Sequence, residues 1–501
     1  MLRFVLAAVP IIILLIGMIA LNKPAMKVAP ITLVITFILG LVVFQGESMN
    51  MVNTALSGIL EGVKIIFLVM TAFAMLIMLQ KTKAMDGIKR SLANVTDDKR
   101  ILLIMIGFCF SIFLEGAAGA GTPTAICAPF LVGIGFTPLQ AAIAGMLGAG
   151  IAPSWGGAGA TTIVGFTSVV KSGHFTMEQL SEISQKTGLI SMIGAFLVPF
   201  LLIYFLFGKK GFKGLIGFLF FIGLVELGSF YLITSYIGTE VVSLGSGITG
   251  VVACVIYTFL TKKNRVVPEE FKYIPKEISE EEQRVIPGTL KSFLPYIILV
   301  IALPVVRFSF PLAVLAKYGY VLWIAVVMLI VLLIGSFILK GQKDYFYYIV
   351  EGTKKVLPAL AVMASLMGMT NIMNQTGMLS TMAKTLSEVA GKGYPAVAVL
   401  IAGLGTFLTG TGLGSNVMFG TMHMEAAGLL GINKAVVFAC QNAGGAIGNI
   451  ICPHNIVSAC ATVNVLGHEG EILRKSIPFW LILAITYSVF GMIYCYVVFP
   501  V

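Results

Sequence analysis

Apolar runs of the length a helix needs to cross a bilayer, about 20 residues, follow one another from end to end of this chain. Only short polar stretches separate them. They predict twelve spans, near 4–21, 28–45, 56–80, 141–165, 187–207, 214–236, 240–260, 292–308, 318–339, 350–373, 435–460 and 476–499. Two further pairs of apolar segments, 101–114 with 122–135 and 395–408 with 416–430, are too short to cross singly and flank glycine-rich breaks. Each pair predicts a re-entrant helical hairpin, which dips part of the way into the membrane and returns. The expected fold class is an all-α polytopic membrane protein.

The two breaks correspond to one another. Residues 113–123 read Phe-Leu-Glu-Gly-Ala-Ala-Gly-Ala-Gly-Thr-Pro, and 294 positions later residues 407–417 read Phe-Leu-Thr-Gly-Thr-Gly-Leu-Gly-Ser-Asn-Val. At the same offset Met75, Thr82, Leu92 and Val95 match Met369, Thr376, Leu386 and Val389, and Ala149, Gly150 and Ala152 match Ala443, Gly444 and Ala446. This predicts a first repeat over 1–207 with its hairpin at 101–135, and a second over 292–501 with its hairpin at 395–430. Between them lie two extra helices over 208–260 and a polar connector over 261–291, carrying the run Glu280-Glu281-Glu282.

With 501 residues, 58% of them hydrophobic and 11% charged, the chain leaves no room for a sizeable soluble domain. Its net charge of +11 does not point to nucleic acid, because the basic residues sit in short loops between apolar runs. Loops near 22–27, 80–100, 208–213, 261–291, 340–349 and 461–475 hold 22 of the 33 Lys and Arg, and the opposite side holds seven, among them Lys317. This asymmetry makes the first set cytoplasmic and places both termini outside, in the cell membrane. Seven crossings then separate the starts of the two repeats, so the repeats run in opposite directions. The start, Met1 to Leu21, lacks a small-x-small cleavage site and is read as a retained first span.

The seven cysteines are scattered through apolar stretches without CxxC or metal-ligand spacing, so they are read as buried hydrophobes, and neither metal nor cofactor is expected. The absence of HExxH and GxSxG motifs argues against an enzyme.

The breaks are where chemistry is expected. Backbone that leaves the helix inside a membrane needs partners for its N–H and C=O groups, and ions or substrate can supply them. Thr122-Pro123 is a good helix start, with Thr as cap and Pro at the first helical position, and Ser415-Asn416 can cap the second hairpin's returning arm. Backbone N–H groups near Gly119, Gly121, Thr122, Ser415 and Asn416 would then offer donors and partial positive charge to a carboxylate. A second broken stretch follows each hairpin, with Pro153 in one half and Pro453 in the other. Gln441, Asn442, Asn449 and Asn455 crowd one apolar span, which is costly unless they face a cavity or one another. Asn442, Asn449 and His454 are candidate substrate contacts. Glu115 at the first hairpin tip is the candidate proton carrier, with His454 as a second titratable group. Glu61 and Lys64 are spaced to meet on one helix face, and Glu226 stands alone in its span as a further proton-path candidate.

These residues resemble the bacterial L-lactate permease family. Phe113-Leu-Glu-Gly-Ala-Ala-Gly-Ala-Gly-Thr-Pro123 is similar to the family's first motif, Phe407-Leu-Thr-Gly with Ser415-Asn416-Val-Met-Phe-Gly420 to its second, and Gly444-Gly445, Gly448, Ile451, Pro453 and Ile456 to its later Gly-Gly to Pro stretch. The resemblance implies carriage of lactate and glycolate with protons, by hairpins that move with a transport domain against a scaffold. The expected partners are thus a small organic anion, protons and membrane lipid, with a homodimer left open. Departures stand at Gly412, where the family usually has an acidic residue, at Asn449, where it has lysine, and at His454, where it tends to have Gln. A sodium-coupled carrier of another organic acid, or a channel, are the alternative readings.

Overall fold

A computed structural model describes all residues except 1, 18–20, 22, 120, 263–265, 275–284, 311–313 and 315–319. The Glu280–Glu282 run, Lys317 and the side chain of Glu61 lie outside the described residues. Among the described residues every element is helical, apart from an isolated bridge between Asp98 and Lys272. Among the described residues nine helices are long and apolar enough to cross a membrane, or up to eleven if each of two bent pairs is one span.

That count is lower than the twelve expected, for local reasons. The first apolar helix, Leu2–Leu14, and the later Leu322–Ile338 fall short of span length. The 141–165 stretch is split in two by its glycines and Pro153. Tyr345–Gln375 is bent by 52° between Leu357 and Ala359, where Pro358 has no N–H to offer the helix.

Two long helices, Ser48–Lys81 and Tyr345–Gln375, run against each other through small residues. A Cβ on Gly58 would stand 2.7 Å from the backbone of Met367 and Gly368, and one on Gly62 would stand 2.6 Å from Ala364 Cα. Without a hydrophobic force between helices in lipid, such close backbone packing supplies the attraction.

Helical hairpins form at both predicted places. The first arm is longer than expected: not 101–114 but Lys99–Ala118, 20 residues, because Gly116-Ala-Ala prolongs the helix and a π-helical turn occupies Met105–Phe110. By length alone it could cross singly, which corrects the expectation of two short arms. From Arg100 to Ala118 every residue is buried. The returning arm, Thr122–Gly133, doubles back so that a Cβ on Gly107 would meet Leu131 at 3.6 Å. In the second hairpin Tyr394–Thr409 returns as Gly412–Leu430, and Ser415 Oγ donates to Ala402 O at 2.8 Å.

The base of the first hairpin is fixed by charge. Asp98 caps its first arm by accepting from Arg100 N at 2.9 Å, and its carboxylate also takes two guanidinium bonds, at 3.0 and 2.8 Å. Nη1 of Arg100 donates to Gly211 O and Lys213 O, and the guanidinium lies 4.5 Å from the ring centre of Phe271. Both charged side chains are 1% exposed or less, so this is a fully bonded buried pair.

Candidate functional site: a cavity where two broken helices meet a hairpin tip

Each half has a broken helix that meets the other at the break. Pro138–Gly148 passes through single turns at Ala149–Ile151 and Pro153–Trp155 into Gly156–Lys171, which opens with Gly157, Ala158 and Gly159 at φ of 55°, 54° and 79°. In the other half Lys434–Ile451 bends by 43° into Pro453–Thr462. The breaks touch, since a Cβ on Gly150 would overlap Ile450 at 2.4 Å.

Both hairpin tips reach the start of Pro453–Thr462. Gly121, at φ 83°, lies so that a Cβ would stand 3.9 Å from Asn455 Oδ1, and one on Gly410, at φ 81°, would stand 4.0 Å from His454 Cβ. The tips therefore approach two consecutive residues. Gly119 sits against Gly157, its Cβ position 3.6 Å from that amide nitrogen.

Around the first tip lies a small, partly open cavity of about 20 Å³, room for a water or two, lined by Glu115, Gly121, Pro123 and Thr124 of the hairpin and by residues of both breaks, including Ala149, Pro153, Asn449 and Asn455. Among the described residues Glu115 is its only ionisable lining residue. The side chain is 3% exposed, and its Oε1 stands 2.6 Å from where a Cβ on Gly156 would be, so the carboxyl fills the space that glycine leaves. No described residue donates a hydrogen bond to it. Two further polar atoms here are buried without a partner, Thr122 Oγ1 and Asn455 Oδ1. Asn455 Nδ2 donates to Asn449 Oδ1 at 3.0 Å, and Asn449 Nδ2 to Ala446 O at 3.2 Å.

Not every expected contact gathers at this cavity. Gly121, Asn449 and Glu115 line it, with Thr122 beside it. Ser415, Asn416 and Asn442 instead form a dry network, all 0% exposed. Asn416 Nδ2 donates to Asn442 Oδ1 at 2.8 Å and to Thr161 O at 3.2 Å, and Asn442 Nδ2 to Thr162 Oγ1 at 2.6 Å. Gln441 Nε2 donates to Ser415 Oγ at 2.9 Å. This network ties the second hairpin to both broken helices. His454 is exposed, at the second tip and away from the cavity lining. The amides of the second span thus divide, Gln441 and Asn442 facing polar partners and Asn449 and Asn455 facing the cavity.

Two caps differ from expectation. Thr122 is the first residue of its helix, and Gly121 in the left-handed region takes the cap position, which leaves the threonine hydroxyl free. The second returning arm begins at Gly412, capped by Thr411, whose Oγ1 accepts from Gly414 N at 3.0 Å. Ser415 and Asn416 are therefore inside the helix, and Ser415 N already donates to Thr411 O. Sequence reasoning also missed Thr161, Thr162, Thr187 and Ser154, because a threonine or serine in an apolar helix ordinarily bonds the preceding turn and gives no signal.

Two of the three positions at which departures from the family are expected, Gly412 and Asn449, lie close together. A Cβ on Gly412 would stand 3.5 Å from Gly445, and Asn449 is one helical turn beyond Gly445 on the same face.

Helices broken at mid-length around a polar cavity, with nine to eleven candidate apolar spans among the described residues, define a polytopic membrane protein with a site of the kind membrane carriers build. The family model for L-lactate permease matches residues 3–314 and 304–498. The chain belongs to the L-lactate permease family. It is 25% identical to an L-lactate permease of Halalkalibacterium halodurans, covering 94% of this chain and 93% of the relative. It is 27% identical to an L-lactate permease of Streptococcus iniae (86% and 92%) and 24% identical to the glycolate permease GlcA of Escherichia coli (98% and 95%). Among solved structures, the antimetabolite efflux pump MtrF of Neisseria gonorrhoeae aligns over 90% of this chain and 84% of that one, at 13% identity and a TM-score of 0.45.

Proposed function

We propose that the protein is a secondary active carrier that takes up L-lactate or a related small 2-hydroxy monocarboxylate such as glycolate, together with protons, across the cell membrane. The observation that carries this reading is a single carboxyl, Glu115, facing an otherwise uncharged cavity. Two unit charges of one sign 4 Å apart repel by about 4 kcal/mol at an effective dielectric of 20, so an organic anion and an ionised Glu115 exclude each other. If one of the two carries a proton the clash becomes a hydrogen bond. Substrate and proton are then held together or not at all, which is symport.

The free hydroxyl of Thr122 and the free Oδ1 of Asn455 are a donor and an acceptor for the acid's carboxylate and 2-hydroxyl. The backbone N–H of Gly121 would complete the anion site, those of Gly119 and Thr122 being already given to Glu115 O and Gly119 O, with Asn449 holding Asn455 in place. Ser415, Asn416 and Asn442 hold the second hairpin on the two breaks rather than touching substrate. Alternating access follows if the hairpins and broken helices, as two inverted repeats with both termini outside, move against the long pair Ser48–Lys81 and Tyr345–Gln375.

Uptake of labelled L-lactate into proteoliposomes, driven by an inward proton gradient or an inward sodium gradient and competed with glycolate, tests the reading. Accumulation under the proton gradient alone is expected. Accumulation only with sodium, or flux that never concentrates the acid, would overturn it. Glu115→Gln, a permanent mimic of the protonated side chain, should keep lactate–lactate exchange and lose gradient-driven accumulation. Full accumulation by this variant would remove Glu115 from the coupling.

A further inference from the structure

The two helices that leave the breaks, Gly156–Lys171 and Lys434–Gly448, run for 16 and 15 residues to a second hollow. With Gly157, Ala158 and Gly159 outside the regular helix, a rise of 1.5 Å per helical residue sets the hollow about 20 Å from the breaks. It has a volume of about 430 Å³ and is lined by His174, Ser380, Lys384, Met424, Glu425 and Lys434, among others. Four chain segments contribute: the turn after Gly156–Lys171, the helix Met378–Ala390, the end of the second hairpin and the start of the second broken helix.

Its charge is unbalanced. Neither Lys384 nor Lys434 forms an ion pair among the described residues, and one glutamate faces two ammonium groups. Burial first, and then the neighbouring Lys434, hold the His174 imidazole below its ordinary range, so near neutral pH it stands as an uncharged hydrogen-bonding group. Leu429, exposed, adds hydrocarbon surface. One excess positive charge beside apolar wall suits an organic anion of single charge. Below the hollow the way to the buried network is shut by aromatic rings, Phe166 standing 5.9 Å from Phe438 and 5.4 Å from Phe175 between ring centres. Val169 closes on Gly420 beside them.

We propose that this hollow is a second carboxylate-binding site, an antechamber that captures the acid before the aromatic seal opens. The proposal rests on the anion-carrier reading above and extends it. In the orientation set by the basic loops, residues 166–186, 374–394 and 431–434 face outward, so capture here precedes uptake. A small anion held by two lysines raises the local substrate concentration and steers it toward the route below, an effect that salt screens.

Two readouts test it. In proteoliposomes at low ionic strength, Lys384→Gln and Lys434→Gln should raise the KM for L-lactate about three- to tenfold with kcat within about twofold, and Glu425→Gln should lower KM. Added salt should raise the wild-type KM and leave that of the double lysine variant nearly unchanged. Unaltered KM and salt dependence in all three variants would overturn the site. If the lysine effects vanish in liposomes of purely zwitterionic lipid, the ammonium groups hold a lipid headgroup and the antechamber is refuted. The second readout needs no transport: L-lactate should slow amine acetylation of Lys384 and Lys434 in the purified protein, read by mass spectrometry, and spare the exposed Lys209 and Lys210. Protection without uptake would sink the carrier reading alone, and uptake without protection would sink the antechamber alone.

Discussion

Gly156 decides where the carboxyl of Glu115 can lie, because any side chain there would occupy the position 2.6 Å from Oε1. Gly156→Ala should therefore displace the carboxyl from the first break and cut proton-driven lactate uptake by at least about tenfold, at a cost to stability within the usual 0.5–3 kcal/mol of a point change. Uptake and thermal unfolding measured on the same purified sample check it, and wild-type uptake would show that the carboxyl needs no such space. The amides offer a sharper contrast. Asn442 makes bonds on three sides in a dry network, so Asn442→Ala strands Asn416 and Thr162 and should destabilise by about 1–3 kcal/mol. Asn455→Ala removes an oxygen that has no protein partner and an Nδ2 bonded only to Asn449, so it should raise the KM for lactate and lower the unfolding temperature less than Asn442→Ala does. Equal unfolding shifts for the two would mean that Asn455 is structural. At this scale Glu115, Asn449 and Asn455 were readable because a polar group in an apolar run is costly and so stands out. The free hydroxyl of Thr122 was not, since Thr before Pro reads as a cap and only the positive φ of Gly121 takes that role away.

The hairpins were legible as elements because clusters of glycine interrupt apolar sequence where a continuous span should run. Their arm lengths were not. A π-helical turn and a tolerant Gly-Ala-Ala stretch carry the first arm to Ala118, and neither leaves a mark in hydrophobic periodicity. The Asp98–Arg100 anchor was also invisible, since both residues look like ordinary loop charges until the fold buries them. Its energetics follow from that burial. Arg100→Ala leaves a buried carboxylate with no cation and should cost about 3–5 kcal/mol, and Arg100→Lys should recover only part of it, having no planar fork to serve Asp98, Gly211 and Lys213 together. Thermal unfolding in detergent measures both. A full rescue by lysine would mean that charge alone, without geometry, holds the base of the hairpin.

Across the whole molecule, the side on which each hairpin is rooted decides whether the repeats are inverted. At the base of the first hairpin a Cβ on Gly135 would stand 3.2 Å from Lys99 Nζ, so the two ends lie near one another, as a hairpin rooted on one face requires. The proposed orientation, drawn from the distribution of Lys and Arg, would make that face cytoplasmic and put Lys392, before the second hairpin, outside. All seven native cysteines are buried, which gives thiol labelling a quiet background. Single cysteines at Lys209, Gly133 and Lys392, all exposed positions, then report the topology directly. A membrane-impermeant maleimide applied to intact cells should modify Lys392→Cys, and should reach Lys209→Cys and Gly133→Cys only after permeabilisation. Gly133→Cys labelled from outside while Lys209→Cys stays protected would mean that the first hairpin crosses the bilayer completely. The cavity around Glu115 would then lack the half-depth loop on which coupled uptake depends.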